Sequence, residues 1–310
     1  MADPADTTSS HVERLTRKLM RPQYSEGKMR KIKFFIAAGI AATTIAEIAL
    51  RLTGVLDFPL YTAGPPYGYI PAPNQAGAFL NHNDWAFNEK SMGTSSHFRP
   101  SSKYDLVLIG DSIVYGGNSY KQSQKLGPSI SSYVGEPVWP IGAGSWAFSN
   151  ELTYLEKNPS VVAGADEFIF VLNSQDLLEP SVWHNEQDHP THRPASALIY
   201  ALSKKFHRNS PTVQLPSSIW REQWNRFRRT NDKPVLIVLY PNKEEARSPS
   251  SRKRNLTEPF SAIAGKGVSV LDLGAQPEWR VASYKDAIHP DANTMKLLAQ
   301  IISRHIEERK

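Results

Sequence analysis

The chain has 310 residues, no cysteine and a formal net charge of +6 at pH 7. The absence of cysteine excludes disulfides, thiolate metal sites and thiol catalysis. The excess positive charge is concentrated in the first 33 residues and in residues 247–254, without the basic and aromatic pattern of nucleic-acid-binding proteins. No nucleic-acid partner is therefore expected.

The N-terminal part of the chain predicts a membrane anchor. Residues 1–31 are polar and basic and are predicted to be a disordered cytoplasmic tail. Residues 32–52 contain the apolar run IKFFIAAGIAATTIAEIAL, which as a helix is long enough to cross the hydrocarbon core of a bilayer. The tail is too long for a cleaved signal peptide and no clean cleavage site follows, so a signal peptide and a buried helix are the less favoured alternatives.

The flanking charges predict the orientation of this helix. Basic residues crowd the N-terminal side of the apolar run: Arg14, Arg17, Lys18, Arg21, Lys28, Arg30, Lys31 and Lys33. Because cations are retained in the cytoplasm, the N-terminus is predicted to lie inside and the remainder of the chain to be exported. We therefore expect a single-pass protein of the cytoplasmic membrane with a periplasmic or extracellular domain.

Residues 53–310 follow the anchor. Residues 53–100 are rich in proline, glycine and asparagine and are predicted to be a linker or wrapping segment, with a short hairpin near residues 77–90. Beyond it, strands alternate with helices, which predicts an α/β domain with a mostly parallel five-stranded sheet. The predicted strands are residues 104–109, 138–141, 167–172, 234–240 and 268–271. The predicted helices are residues 119–133, 146–156, 217–230, 256–264 and 291–308. Residues 177–216 are predicted to be irregular.

The first predicted strand ends in the sequence Gly110-Asp111-Ser112. Glycine permits a sharp turn, and the serine hydroxyl follows at the carboxyl edge of the sheet, where open α/β sheets bind their ligands. Such a serine can be the nucleophile of acyl transfer if a base and oxyanion donors lie beside it. The alternative is a plain strand-to-helix turn with an aspartate or serine N-cap.

A second polar cluster lies just before the last predicted helix, where Asp286 and His289 are three residues apart. An aspartate at this spacing can fix the tautomer of the imidazole, which can then act as a base. Alone, the pair is more often a helix cap beside a surface histidine. Together with Ser112 it completes the set of side chains that acyl transfer requires.

In these motifs the sequence resembles the SGNH/GDSL hydrolase superfamily, in its membrane-anchored branch associated with bacterial surface polysaccharides. The resemblance covers roughly residues 46–310 and implies a flavodoxin-like three-layer α/β/α sandwich. It implies Ser112 as nucleophile, with Asp286 and His289 as the other members of a triad. It also implies a backbone N–H donor to the oxyanion hole at Gly144 or Ser145.

One block departs from the pattern of the superfamily. The superfamily has Gly-x-Asn-Asp where this chain has Asn173-Ser174-Gln175-Asp176. The amide donor of the oxyanion hole is therefore Gln175, or Asn173 if the loop turns differently.

The resemblance implies a serine ester hydrolase or O-acyltransferase, with acetyl the expected acyl group, acting on an extracytoplasmic glycan. The alternative is an inactive scaffold that binds polysaccharide or a membrane-bound synthesis partner, which Glu47 in the anchor and Gln175 would suit. No cofactor is expected. A metal site at His184, His189 and His192 with Asp188 is not expected either, because their spacing lacks the pattern of a metal-binding helix.

Overall fold

The computed structural model describes residues 26–64, 66–101, 103–206 and 215–309. The chain divides into two compact units, Met1–Leu50 and Arg51–Lys310. Most of the predicted disordered tail lies outside the described residues; residues 26–31, its last part, are helical.

Helix α1 spans Glu26–Leu52 and begins six residues before the predicted anchor at residue 32. Its 27 residues would extend about 40 Å, and apolar side chains such as Phe34, Phe35 and Ile40 are exposed along it. Within the described residues it is the one helix long and apolar enough to cross a membrane. Length and composition are what support a membrane anchor here.

Two antiparallel hairpins occupy the segment predicted to be a linker or wrapping segment. Strands β1 (Tyr61–Gly64) and β2 (Gly68–Pro71) form the first, which was not predicted. Strands β3 (Gln75–Phe79) and β4 (Asn83–Phe87) form the second, in the predicted place. Tyr69, Trp85 and Phe87 are buried, so both hairpins pack onto the rest of the larger unit.

The central sheet has five strands that are all parallel, in the order β6-β5-β7-β8-β9. Their bounds are β5 Leu106–Gly110, β6 Val138–Gly142, β7 Glu167–Leu172, β8 Val235–Leu239 and β9 Val268–Asp272. β5, β6 and β8 are continuous apolar runs, and so is β7 after Glu167, as expected for strands covered on both faces. β9 is less buried and contains the polar residues Ser269 and Asp272. The predicted α/β fold class is confirmed. The order of the strands is that of flavodoxin-like sheets.

Helices cover both faces of this sheet. Their bounds are α2 Ser112–Tyr115, α3 Leu126–Val134, α4 Phe148–Lys157, α5 Pro159–Gly164, α6 Ala197–Phe206, α7 Ile219–Thr230 and α8 Ala292–Glu307. Short helical turns span Gln122–Gln124, Ser174–Leu177, Lys243–Arg247, Pro249–Arg252, Lys253–Thr257, Glu258–Phe260, Ser261–Ile263, Leu273–Ala275 and Val281–Ser283.

Alternate residues of each strand feed two separate cores, because side chains in a strand point to opposite faces in turn. Val107 and Ile109 of β5 join a core formed with α4 and α7. Leu106 and Leu108 join the other, formed with α3 and α8. The predicted core stripe of α7 is correct: Trp220, Trp224 and Phe227 are buried. The result is the predicted three-layer sandwich.

Three predicted elements differ from the structure. The helix predicted at residues 119–133 begins at Leu126 rather than at residue 119, because Pro128 lacks an N–H and is tolerated only in a first turn. The segment predicted to be irregular, residues 177–216, contains α6. The helix predicted at residues 256–264 is divided into short helical turns, and Pro259 lies in the turn Glu258–Phe260.

Candidate active site

The serine of the first motif begins a one-turn helix directly after β5. Asp111 caps α2 by accepting a hydrogen bond from the Ile113 N–H at 2.9 Å. Glycine is required before it, because a Cβ at Gly110 would lie 2.6 Å from Val114 and 3.0 Å from the Val171 carbonyl oxygen. The Ser112 hydroxyl therefore lies at the carboxyl end of β5, the strand that is flanked by β6 and β7.

The structure brings together the three side chains of the predicted triad. Ser112 Oγ lies 3.0 Å from His289 Nε2, although 177 positions separate them in the chain. His289 Nδ1 lies 3.0 Å and 3.2 Å from the two carboxylate oxygens of Asp286. With the proton on Nδ1 donated to Asp286, Nε2 is left to accept the serine hydroxyl. This is the arrangement that activates a hydroxyl nucleophile.

Backbone contacts orient the aspartate. Asp286 Oδ1 accepts hydrogen bonds from the N–H groups of His289 at 2.8 Å and Ile288 at 2.9 Å. Burial alone would raise the pKa of Asp286, but these two N–H groups and the imidazole hold it below its usual value. Asp286 therefore stays ionised in neutral solution and keeps the histidine oriented.

Two tyrosines fix the loop that carries Asp286 and His289. The Tyr240 hydroxyl donates to the Ile288 carbonyl at 2.6 Å, and the Tyr120 hydroxyl donates to the Pro290 carbonyl. Both side chains are buried. The loop is thus held in place from the β8 end and from the segment before α3.

The turn after β6 holds the predicted backbone donors. Gly144 lines the same pocket as Ser112 and His289, and Ser145 has a positive φ of 63°. The Gly144 carbonyl accepts a hydrogen bond from the Tyr69 hydroxyl at 2.6 Å, and the Ser145 carbonyl accepts one from the Ser181 hydroxyl. Neither the Gly144 nor the Ser145 amide N–H has an acceptor in the described part of the chain. These peptides are anchored through their carbonyls, and both N–H groups stay available as donors.

The two candidate amides after β7 are in different surroundings. Asn173 is buried; its amide donates to Asp111 at 3.1 Å, and its oxygen accepts from the Gln175 N–H at 2.8 Å. Gln175 has an exposed side chain and is not among the residues that line the pocket around Ser112. Gln175 therefore does not line that pocket. The Asn173 amide already has an acceptor, the Asp111 carboxylate.

The pocket over Ser112 has a volume of about 350 Å³. Its wall includes Tyr115, Tyr120 and Lys285, and the last two contact each other, with the Lys285 ammonium 4.8 Å from the tyrosine ring centre. A larger groove of about 520 Å³ between α4 and α7 contains none of the triad residues. The chemistry therefore belongs to the smaller pocket.

The histidines considered as metal ligands do not form a cluster. No group of three or more potential metal-ligating side chains occurs among residues 26–64, 66–101, 103–206 and 215–309. His189 instead stacks on Tyr69, with ring centres 3.8 Å apart, and burial lowers its pKa to about 4. It supports the residue that holds the Gly144 carbonyl.

Comparisons with known proteins give likeness at the level of the fold. No family model and no curated protein matches the sequence. A carbohydrate acetylesterase from Sinorhizobium meliloti is similar at 15% identity and a TM-score of 0.40, covering 67% of this chain and 100% of that one. An acetyl xylan esterase from Butyrivibrio proteoclasticus is similar at 14% identity and a TM-score of 0.41, covering 70% of this chain and 66% of that one.

A member of the lipolytic G-D-S-L family from Veillonella parvula is similar at 13% identity and a TM-score of 0.40, covering 63% of this chain and 94% of that one. These three structures are described as two carbohydrate esterases and a G-D-S-L family protein. These three structures do not test the resemblance to the membrane-anchored branch. The function proposed below depends on the geometry of the site itself.

Sequence reasoning missed the residues that support the site. Tyr69 and Ser181 contact the Gly144-Ser145 turn from 75 and 36 positions away, and no local motif marks them.

Lys125 is buried beside Tyr115 and Phe87, with its ammonium 5.6 Å and 5.8 Å from the two ring centres. Its charge gave no hint of burial, since lysines are rarely buried.

The buried Lys125 makes the stability of the fold depend on pH. Burial lowers the pKa of Lys125 to about 8, against 10.5 in the unfolded chain. Between these values the unfolded chain binds the proton and the folded chain does not, so stability rises with pH. We expect Lys125→Met to raise the free energy of unfolding at neutral pH by roughly 2–3 kcal/mol. The gain should vanish above about pH 10.5.

Denaturant unfolding of the full chain in detergent at several pH values measures this difference. Lys121→Met is the matched control, because Lys121 is exposed on the same segment, and it should leave unfolding unchanged at every pH. A Lys125→Met variant that is less stable than wild type at neutral pH would show that the ring contacts outweigh desolvation.

The amide donor can be assigned with two readouts. If Gln175 is the amide donor, Gln175→Ala should lower kcat by about 10²-fold and leave unfolding unchanged, because its side chain is exposed. Asn173→Ala should also cost about 1–3 kcal/mol of stability, because Asp111 loses a buried partner. Full activity in Gln175→Ala would show that Gln175 is not a donor to the oxyanion. The donors would then be the backbone N–H groups, with or without Asn173.

Proposed function

We propose that this protein is a serine esterase or O-acyltransferase that acts on acyl esters of a glycan, with acetyl the expected acyl group. The observation that carries the proposal is the continuous array from Ser112 through His289 to Asp286, with both contacts near 3.0 Å. The array lies at the carboxyl edge of the sheet in an open pocket that an ester can enter.

The geometry supports a two-step reaction. His289 Nε2 takes the proton of the Ser112 hydroxyl as its oxygen attacks the ester carbonyl carbon. The negative charge on the carbonyl oxygen is stabilised by the N–H groups of the Gly144-Ser145 turn. When the tetrahedral intermediate collapses, His289 returns the proton to the departing sugar oxygen, and the acyl group stays on Ser112. A water molecule or a second sugar hydroxyl then gives up a proton to His289 as its oxygen attacks the acyl carbon. His289 returns this proton to Ser112 Oγ as the bond between the acyl group and Ser112 breaks.

The glycan is proposed from the resemblance of the sequence to polysaccharide-associated members of the superfamily. Tyr115, which is partly buried in the pocket wall, suits it, because aromatic faces pack well against sugar rings. Location outside the cytoplasm is proposed from α1 and the cations that precede it. The acceptor, water or sugar, depends on whether the occupied pocket excludes water.

Loss of the triad should abolish acyl transfer without unfolding the protein. Ser112→Ala, His289→Ala and the double variant should each lose at least about 10³-fold in kcat on an aryl acetate, to a similar floor, because they disable one step. Asp286→Asn should be milder, since it disturbs orientation and tautomer but leaves the base in place.

A serine-directed phosphonate provides the second measurement. It should label wild type and Ser119→Ala, a matched change of another serine in the pocket wall, but not Ser112→Ala. Labelling should fall in His289→Ala. If Ser112→Ala fully restores function in cells that lack the protein, the enzyme proposal is wrong and the inactive scaffold is favoured.

The orientation of the chain can be tested independently of activity. A phosphatase that works only after export, fused after Lys310, should be active, and a cytoplasmic reporter at the same position should be silent. Deleting residues 32–50 from the same fusion should reverse both readings. Cytoplasmic activity of the intact fusion would contradict the proposed location.

A further inference from the structure

Helix α6 presents an apolar face to the outside of the larger unit. Ile199, Leu202 and Phe206 are 69%, 48% and 74% exposed. Their spacing of three and four residues places them on one side of the helix. Exposed apolar side chains aligned in this way mark a contact surface rather than a solvated one.

The opposite side of α6 is fixed to the protein, so this face cannot simply turn inward. Ala197 is buried, and the Tyr200 ring stacks on Phe58 with ring centres 5.1 Å apart. The Lys204 ammonium donates to the Gln187 carbonyl. The helix is therefore held with its apolar face directed outward.

The contacts of α6 lie at residues 51–58, which directly follow the apolar part of α1. Arg51 donates to the Ala195 carbonyl at 2.5 Å, two residues before α6 begins. Arg193 donates to the Leu56 and Phe58 carbonyls, and it lies 3.5 Å from the Asp57 carboxylate. The segment that leads into α6 is thus bonded to residues 51–58.

A second apolar protrusion is attached to the same residues. Leu80 is 48% exposed at the tip of the β3–β4 hairpin, in a backbone conformation with φ 54°. Its N–H donates to the Gly54 carbonyl at 3.1 Å, and the Asn81 amide donates to the Leu52 carbonyl at 2.8 Å. Asparagine and glycine are preferred at such a turn position, so an exposed leucine there suggests that its side chain contacts an apolar surface.

We propose that the α6 face (Ile199, Leu202 and Phe206) and Leu80 contact the lipid surface into which α1 inserts. The proposal rests on the membrane anchor put forward above. A bilayer is favoured over a protein partner because both protrusions are bonded to residues 51–58, so an anchored chain would carry both at the interface. The exposed Lys205 at the edge of the α6 face suits the phosphates of lipid headgroups.

The absence of cysteine makes a direct test possible with the full chain. Leu202→Cys would be labelled with a polarity-sensitive dye and reconstituted in vesicles of phosphatidylcholine and phosphatidylglycerol. Lys266→Cys, exposed in the turn before β9, is the matched control. The Leu202 label should be quenched several-fold more by nitroxide-bearing lipids than the Lys266 label, and less by aqueous iodide.

A charge variant tests the same face. Ile199→Glu with Phe206→Glu should remove the lipid quenching of the Leu202 label, whereas Ile219→Glu, at an exposed apolar residue outside the face, should not. Equal quenching of the two labels in a chain that floats with the vesicles would overturn this inference alone. A chain that does not float would overturn the anchor and the inference together. If the protection of the Leu202 label from iodide grows with the protein-to-lipid ratio, the face contacts a second copy of the chain, and the inference of lipid contact is overturned.

Discussion

The site depends on how closely three parallel strands approach at their carboxyl ends. β5 lies between β6 and β7, and the chain leaves it in the crevice where the order of the sheet reverses. A Cβ at Gly142 would lie 2.5 Å from the Gly110 carbonyl oxygen, so only glycine permits this approach. Because of it, Ser112, the Gly144-Ser145 turn and Asn173 leave the sheet at one edge.

Elements outside the sandwich then fix the orientation of these groups. Tyr69 of the first hairpin and Ser181 of the segment after β7 hold the carbonyls of the turn after β6. Tyr240 and Tyr120 hold the loop that carries the histidine. Preorganised donors contribute most to acyl transfer because they need not reorganise as charge develops. The segment of residues 53–100 therefore contributes Tyr69 to the site and is more than a connection to α1.

Local signals explain how much could be predicted from the sequence. The strands are continuous apolar runs, and Ser112, Asp286 and His289 belong to motifs within a few residues of an element end, so the fold and the triad residues followed from short windows. Tyr69 and α6 did not. Tyr69 acts across 75 positions. The apolar face of a surface helix normally packs on the core, whereas the apolar face of α6 points outward. The donor after β7 also depends on how one loop turns.

Beneath the site, burial places three carboxyl groups together, and their charges cannot all be tolerated. Burial raises the pKa of Glu151, Asp176 and Asp111, and the charges of the two aspartates raise that of Glu151 further. Each aspartate accepts hydrogen bonds that favour its ionised form, Asp176 from the Asn173 N–H and Asp111 from the Ile113 N–H. Neither oxygen of Glu151 has a partner among the described residues, so no hydrogen bond there favours its ionised form over its protonated one. A neutral Glu151 adds no negative charge near the nucleophile, where such a charge would oppose the oxyanion that the turn after β6 is arranged to stabilise.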